Sequence, residues 1–147
     1  MNNTGIEIKT SIIIERPPEE VFNYIADFEN NPEWQSGMTH ARFTSSGKLR
    51  EGSTYEQVAK FLGKEIHTTF VVRQYNPYHK IQIESIKSTF PIKVTREVQV
   101  RSNGCIVSAL VEGNPGTLFS LARPLLRKIV QRSVKKDYDN LKRILES

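Results

Sequence analysis

One arginine stands where an apolar side chain is expected. Ile92, Val94, Val98 and Val100 share a parity with Arg96, while Lys93, Thr95, Glu97 and Gln99 occupy the other. A strand of that pattern turns one face toward a core. A guanidinium on that face must find an anion or water, because an unpaired buried charge is very costly. On a cavity wall Arg96 could receive a ligand carboxylate or polarise a carbonyl; if the sheet splays, it reaches water or an acidic neighbour instead. Tyr55, Gln57, Thr68 and Ser85 fall on the presumed inner face of their own segments and could orient a ligand through hydrogen bonds. No carboxylate shares that inward parity, so general-base chemistry is under-furnished and no residue is assigned a catalytic role.

The remaining reactive side chains point away from metal or nucleophilic chemistry. His40, His67 and His79 have no cysteine or acidic partner at ligand spacing, and no His-Glu-x-x-His occurs, so neither a metal nor a cofactor is expected. His67 lies on the polar parity of its strand and reads as a surface residue. Cys105 has no activating base on its strand and reads as a small core or edge residue. Gly113 to Gly116 lacks the lysine of a phosphate-binding loop.

The elements that must position these groups follow from periodicity. Ile8, Thr10, Ile12 and Ile14 alternate along Glu7 to Glu15, a half-buried strand stopped by Pro17 and Pro18. Pro-Pro-Glu-Glu suits a helix start, and Val21, Phe22, Tyr24, Ile25 and Phe28 make the short helix amphipathic, before Asn30, Asn31 and Pro32 break it. Six strands are then expected: Met38 to Ser45, of unsettled parity; Tyr55 to Phe61; Glu65 to Tyr75; Lys80 to Lys87; Ile92 to Arg101; and Cys105 to Glu112. From Leu118 the apolar residues Leu121, Leu125, Ile129, Val130, Val134, Tyr138, Leu141, Ile144 and Leu145 recur mostly three or four apart, with Phe119, Ala122 and Leu126 beside them. That stripe predicts about eight turns of helix needing a broad partner. Pro124 must kink it, or else a short helix at Thr117 to Arg123 precedes a main helix with the proline in its first turn. The expected architecture is α+β: a seven-stranded antiparallel sheet curved around the long C-terminal helix, with two short helices after strand one.

At 147 residues, with 37% hydrophobic and 25% charged side chains, the chain reads as a single domain, 1–147. The N-terminal stretch is not patterned as a secretory signal, the longest apolar runs are far below the ~20 residues of a membrane span, and one cysteine excludes an internal disulfide framework. These features point to the cytoplasm. The net charge of +5 resides from Leu118 onward, where eight basic residues stand against three acidic ones. The basic side is either a solvated face or a surface for an acidic partner.

In their order, Ile14-Glu15-Arg16-Pro17-Pro18-Glu19-Glu20-Val21-Phe22, Trp34 after Asp27 and the asparagines, Glu51-Gly52-Ser53, Tyr75-Asn76-Pro77, Val111-Glu112-Gly113 and Leu141-Lys142 resemble the START-like or SRPBCC superfamily, in particular its polyketide cyclase/dehydrase-type proteins. The resemblance covers nearly the whole chain. It implies a helix-grip fold whose elongated cavity, between sheet and terminal helix, holds an apolar small molecule or lipid. The ligand-binding residues then expected are Trp34, Tyr55, Gln57, Thr68, Phe70, Ser85, Arg96, Phe119, Ala122 and Leu126. The break at Pro124 would sit over the cavity mouth, gated by Phe119, Leu121 and Leu125, with Ala122 leaving room for the ligand. A carrier or sensor is the leading expectation. The alternatives are a cyclase/dehydrase-type enzyme, in which Arg96 and Tyr55 polarise a polyketide-like carbonyl, and an adaptor for an anionic membrane surface. No nucleic-acid partner and no membrane insertion are expected; the oligomeric state is left open.

Overall fold

The computed structural model describes residues 5–147. Its elements in chain order are β1 (Ile6–Ile14), α1 (Pro18–Ala26), a 3-10 turn (Phe28–Asn30), α2 (Asn31–Trp34), β2 (Met38–Phe43), β3 (Thr54–Phe61), β4 (Lys64–Asn76), β5 (Lys80–Ser88), β6 (Ile92–Arg101), β7 (Gly104–Gly113) and α3 (Arg123–Glu146). The seven strands form one antiparallel sheet in the order β1-β7-β6-β5-β4-β3-β2, so the first strand closes against the last, Ile6 opposite Gly113. The expected α+β helix-grip architecture is therefore present, with the short helices after β1 covering one end of the sheet and α3 lying along it.

Local chemistry explains the curvature. Register shifts interrupt β2 between Met38 and His40, β5 at Ile86, opposite Thr69 and Phe70, and β4 between Val72 and Gln74. An extra residue bends and twists a strand, and these bulges wrap the sheet around the helix. The shift in β2 also settles its parity, since Ala41 and Phe43 are partly covered while His40 and Arg42 are exposed. Leu62 and Gly63, both at positive φ, make the two-residue turn that matches the twist of β3 and β4. Gly104, at φ +147°, brings the β6–β7 turn against the end of β1, where an added Cβ would lie 2.2 Å from the Ile14 carbonyl oxygen.

Pro124 decides where α3 begins. It occupies the first turn, where its missing N–H costs nothing, and Ala122 is the residue before the helix. The segment from Asn114 to Ala122 is irregular, so the helical period does not run back to Leu118, and neither a kinked eight-turn helix nor a separate short helix at Thr117 to Arg123 forms. Consequently Leu126, not Leu125, faces the sheet, and Leu121 and Leu125 are 37% and 50% exposed. The inward line of α3 continues through Val130, Val134, Tyr138 and Leu141. Its far end is fastened to the sheet edge, Lys142 Nζ donating to the Ile13 carbonyl at 2.6 Å and the Glu15 amide to Glu146 Oε2 at 2.8 Å.

Two apolar clusters result. The larger centres on Phe22, Phe28, Trp34, Tyr55, Phe70 and Leu141; the smaller joins Ile66, Phe119 and Leu126 under the start of α3.

Candidate ligand cavity

Packing is incomplete between those clusters. One cavity, of about 210 Å³, lies beneath the first turns of α3, with Ile6, Ile8, Ile66, Phe90, Phe119 and Leu126 among its walls. A second, of about 220 Å³, runs inward from Met38 and Lys60 at the surface to Tyr55, Gln57, Phe70, Arg96, Asp137 and Tyr138. Phe61, Ile92, Val111, Ser133 and Val134 line both, so the two adjoin across a common wall of side chains. Together they reach the range of about 300–1,000 Å³ typical of small-molecule sites.

The deep end is built on aromatic rings. Tyr55 on β3 is stacked between Phe28, at 4.6 Å, and Phe70 on β4, at 5.1 Å, and its hydroxyl donates to Gln57 Oε1 at 3.1 Å. Burial pushes the Tyr55 phenol up, away from ionisation, although the positive charge of Arg96 acts in the opposite direction. Tyr138 is raised for the same first reason and opposed by the same cation.

Arg96 reaches neither solvent nor an acidic neighbour. It is 3% exposed, and Nη1 donates to the Ile25 carbonyl at 2.7 Å and to Asn31 Oδ1 at 3.3 Å. Its guanidinium carbon lies 4.9 Å from the Trp34 ring centroid and 5.1 Å from that of Phe28, cation–π distances. Nε has no hydrogen-bond partner, and among the described residues no carboxylate forms an ion pair with it.

The structure sorts the other expected residues. Tyr55, Gln57, Phe70 and Arg96 meet in the deep cavity, and Phe119 and Leu126 in the apolar one. Trp34 lines neither; it backs Arg96 and meets the Tyr138 ring edge-on at 4.9 Å. Thr68 and Ser85 are spent on the sheet. Thr68 Oγ1 lies 2.9 Å from Ser88 Oγ, and Ser85 Oγ accepts from the Ile92 amide at 2.9 Å, so the expectation that these two face the cavity is corrected. Ala122 is corrected as well: it is exposed outside α3 because the helix starts after it. Leu121 and Leu125, both exposed, are likewise absent from the walls of either cavity. His67, read from spacing as having no acidic partner, has its Nε2 2.7 Å from Glu65 Oε1 on the exposed face.

Strand parity could not reveal the contribution of α3. Asp137 stands on the deep wall and accepts from both the amide and the hydroxyl of Ser36, each at 3.1 Å, through Oδ1. Burial pushes its carboxyl up, and the two Ser36 bonds act against that rise. Ser133, one turn earlier, is a small polar residue at the junction of the cavities. Both positions break the apolar stripe of α3 on its sheet side, which is the signal by which they could have been found.

The family model described as polyketide cyclase / dehydrase and lipid transport matches residues 5–146. No curated protein matches. Among solved structures, a protein from Thermus thermophilus is similar at 17% identity and a TM-score of 0.81, with 95% of this chain and 96% of that one covered. A START superfamily protein from Mycobacterium smegmatis is similar at 10% identity and a TM-score of 0.77, covering 96% and 97%. A major latex-like protein from Panax ginseng gives 6% identity and a TM-score of 0.76, covering 99% and 100%. At such identities the likeness is one of fold.

Proposed function

The chain belongs to the polyketide cyclase/dehydrase and lipid transport family, and from that premise we propose that it is a small cytoplasmic carrier or sensor that holds an apolar molecule or lipid between sheet and α3. The observation that carries this reading is the pair of adjoining cavities, the outer one walled almost entirely by aliphatic and aromatic side chains and the inner one ending in a few polar groups. Burial of an apolar body with orientation by a few polar contacts is the usual division of labour in such sites. A neutral environment-sensitive dye such as Nile red should bind saturably. Ser133→Trp, which fills the junction, should abolish that binding while circular dichroism and thermal unfolding report a folded protein. Saturable binding untouched by the substitution would locate the dye elsewhere and sink the proposal.

Asp137 favours a second reading, an enzyme of the cyclase/dehydrase type. On the same wall as Arg96 and Tyr55, it supplies the carboxyl that the strands lack for proton transfer. On this reading Asp137→Asn abolishes turnover of a polyketone substrate and leaves its binding intact; a carrier shows no turnover to lose.

A further inference from the structure

We infer that the molecule held in this cavity carries a single oxyanion head, a carboxylate or its chemical equivalent, and that the head seats at Arg96 with the apolar body extending toward Phe119 and Leu126. This rests on the reading of the two cavities as one ligand site.

The argument begins with what Arg96 lacks. The guanidinium is permanently charged, is 3% exposed and lines the inner cavity. Its hydrogen-bond partners, the Ile25 carbonyl and the Asn31 side-chain oxygen, are both neutral. Ile25 lies in the last turn of α1, whose C-terminal end offers about half an elementary charge at most. The faces of Trp34 and Phe28 add only quadrupole attraction. These contacts explain how the side chain is held, and they leave a net cation and an unbonded Nε in a low-dielectric site. The acidic group on the same wall, Asp137, has its Oδ1 committed to Ser36 and makes no ion pair with Arg96. Planar, bidentate recognition of an oxyanion is what a guanidinium does best. An anion there would complete a charge balance that the protein leaves open, and the shared wall formed by Phe61, Val111 and Val134 leads from that point into the apolar cavity.

Displacement of Nile red at neutral pH by dodecanoate, dodecyl phosphate, dodecan-1-ol and dodecyltrimethylammonium, all below their micellar concentrations, tests this. The two anions should displace the dye at concentrations about tenfold or more below the alcohol, as expected for a hydrogen bond to a charged group, and the ammonium should be the weakest. A preference for dodecanoate or for dodecyl phosphate distinguishes the two head chemistries. Arg96→Met should bring the anions to the alcohol's level without changing the alcohol, and Lys128→Met, which removes an exposed cation of α3 that lines neither cavity, should leave the preference intact. Equal displacement by acid and alcohol in the wild type overturns the inference while the carrier reading stands, and it does so even if Arg96→Met fails to fold. A preference for the anions that survives in a folded Arg96→Met variant also overturns it, because the head would then sit elsewhere. If the dye itself does not bind, the underlying carrier reading fails with it.

Discussion

At position 137 a carboxyl group is held above the ordinary aspartate range because burial strips its water faster than the Ser36 hydrogen bonds replace it. Its folded pKa is thus higher than its unfolded one. The favourable contribution of the protonated form is fully present below the unfolded value and is lost as pH rises through the folded value. Asp137→Asn keeps an oxygen acceptor for Ser36 and removes the titration. The variant should gain stability relative to wild type as pH rises from the acidic limit through that window, and urea unfolding across the pH range would show it; parallel profiles would contradict the assignment. Arg96 was legible in sequence because a charge breaking a period-two apolar pattern is conspicuous. Asp137 was not: it follows Lys135 and Lys136 and precedes Tyr138 and Asp139 on a helix whose rotation about its axis depends on where Pro124 lets it begin. Ala122 was misplaced for the same reason. Thr68 and Ser85 were read onto the inner face of their strands, but parity does not say whether a hydroxyl is already committed to another strand.

Element by element, α3 does two jobs with opposite faces. Its inner line holds Leu141, fully buried within the larger cluster, and Leu141→Ala should cost about 2–5 kcal/mol in chemical unfolding, as large-to-small core changes do. A cost near zero would mean that the end of α3 is not docked. The outer face exposes Arg127, Lys128, Arg132, Lys135 and Lys136. These cations should give weak adhesion to anionic vesicles that fades as salt shortens the Debye length below about 8 Å. Insertion is not expected. Leu121 and Leu125 are the outward leucines near the start of α3, and the rest of its stripe is engaged by the sheet. Vesicle binding that survives high salt in co-sedimentation would contradict this. The existence and type of β1, β3 to β7 and the long helix were readable from alternation and the 3.6 period; the bulges that curve the sheet were not, because an inserted residue leaves composition unchanged.

Across the whole molecule, the two apolar clusters flank a pair of adjoining cavities, so a molecule held in both would touch both clusters. A bound apolar ligand at one hundred times its dissociation constant should add about 2.7 kcal/mol to unfolding stability, seen by calorimetry as a rise in Tm that Ser133→Trp eliminates. The pairing of β1 with β7 has a different kind of consequence, one of timing. Ile14 lies opposite Cys105, and Ile6 opposite Gly113, so a chain growing from its N-terminus must wait for β7 before β1 has a neighbour, and for the residues after that before α3 can cover either cluster. Closure between distant segments is slow relative to local pairing. The hairpins from β2 to β6 can assemble during synthesis, whereas the cavities lack the wall formed by α3 until the residues after β7 have been made. A ligand therefore has no enclosed site to occupy until α3 has docked on the sheet.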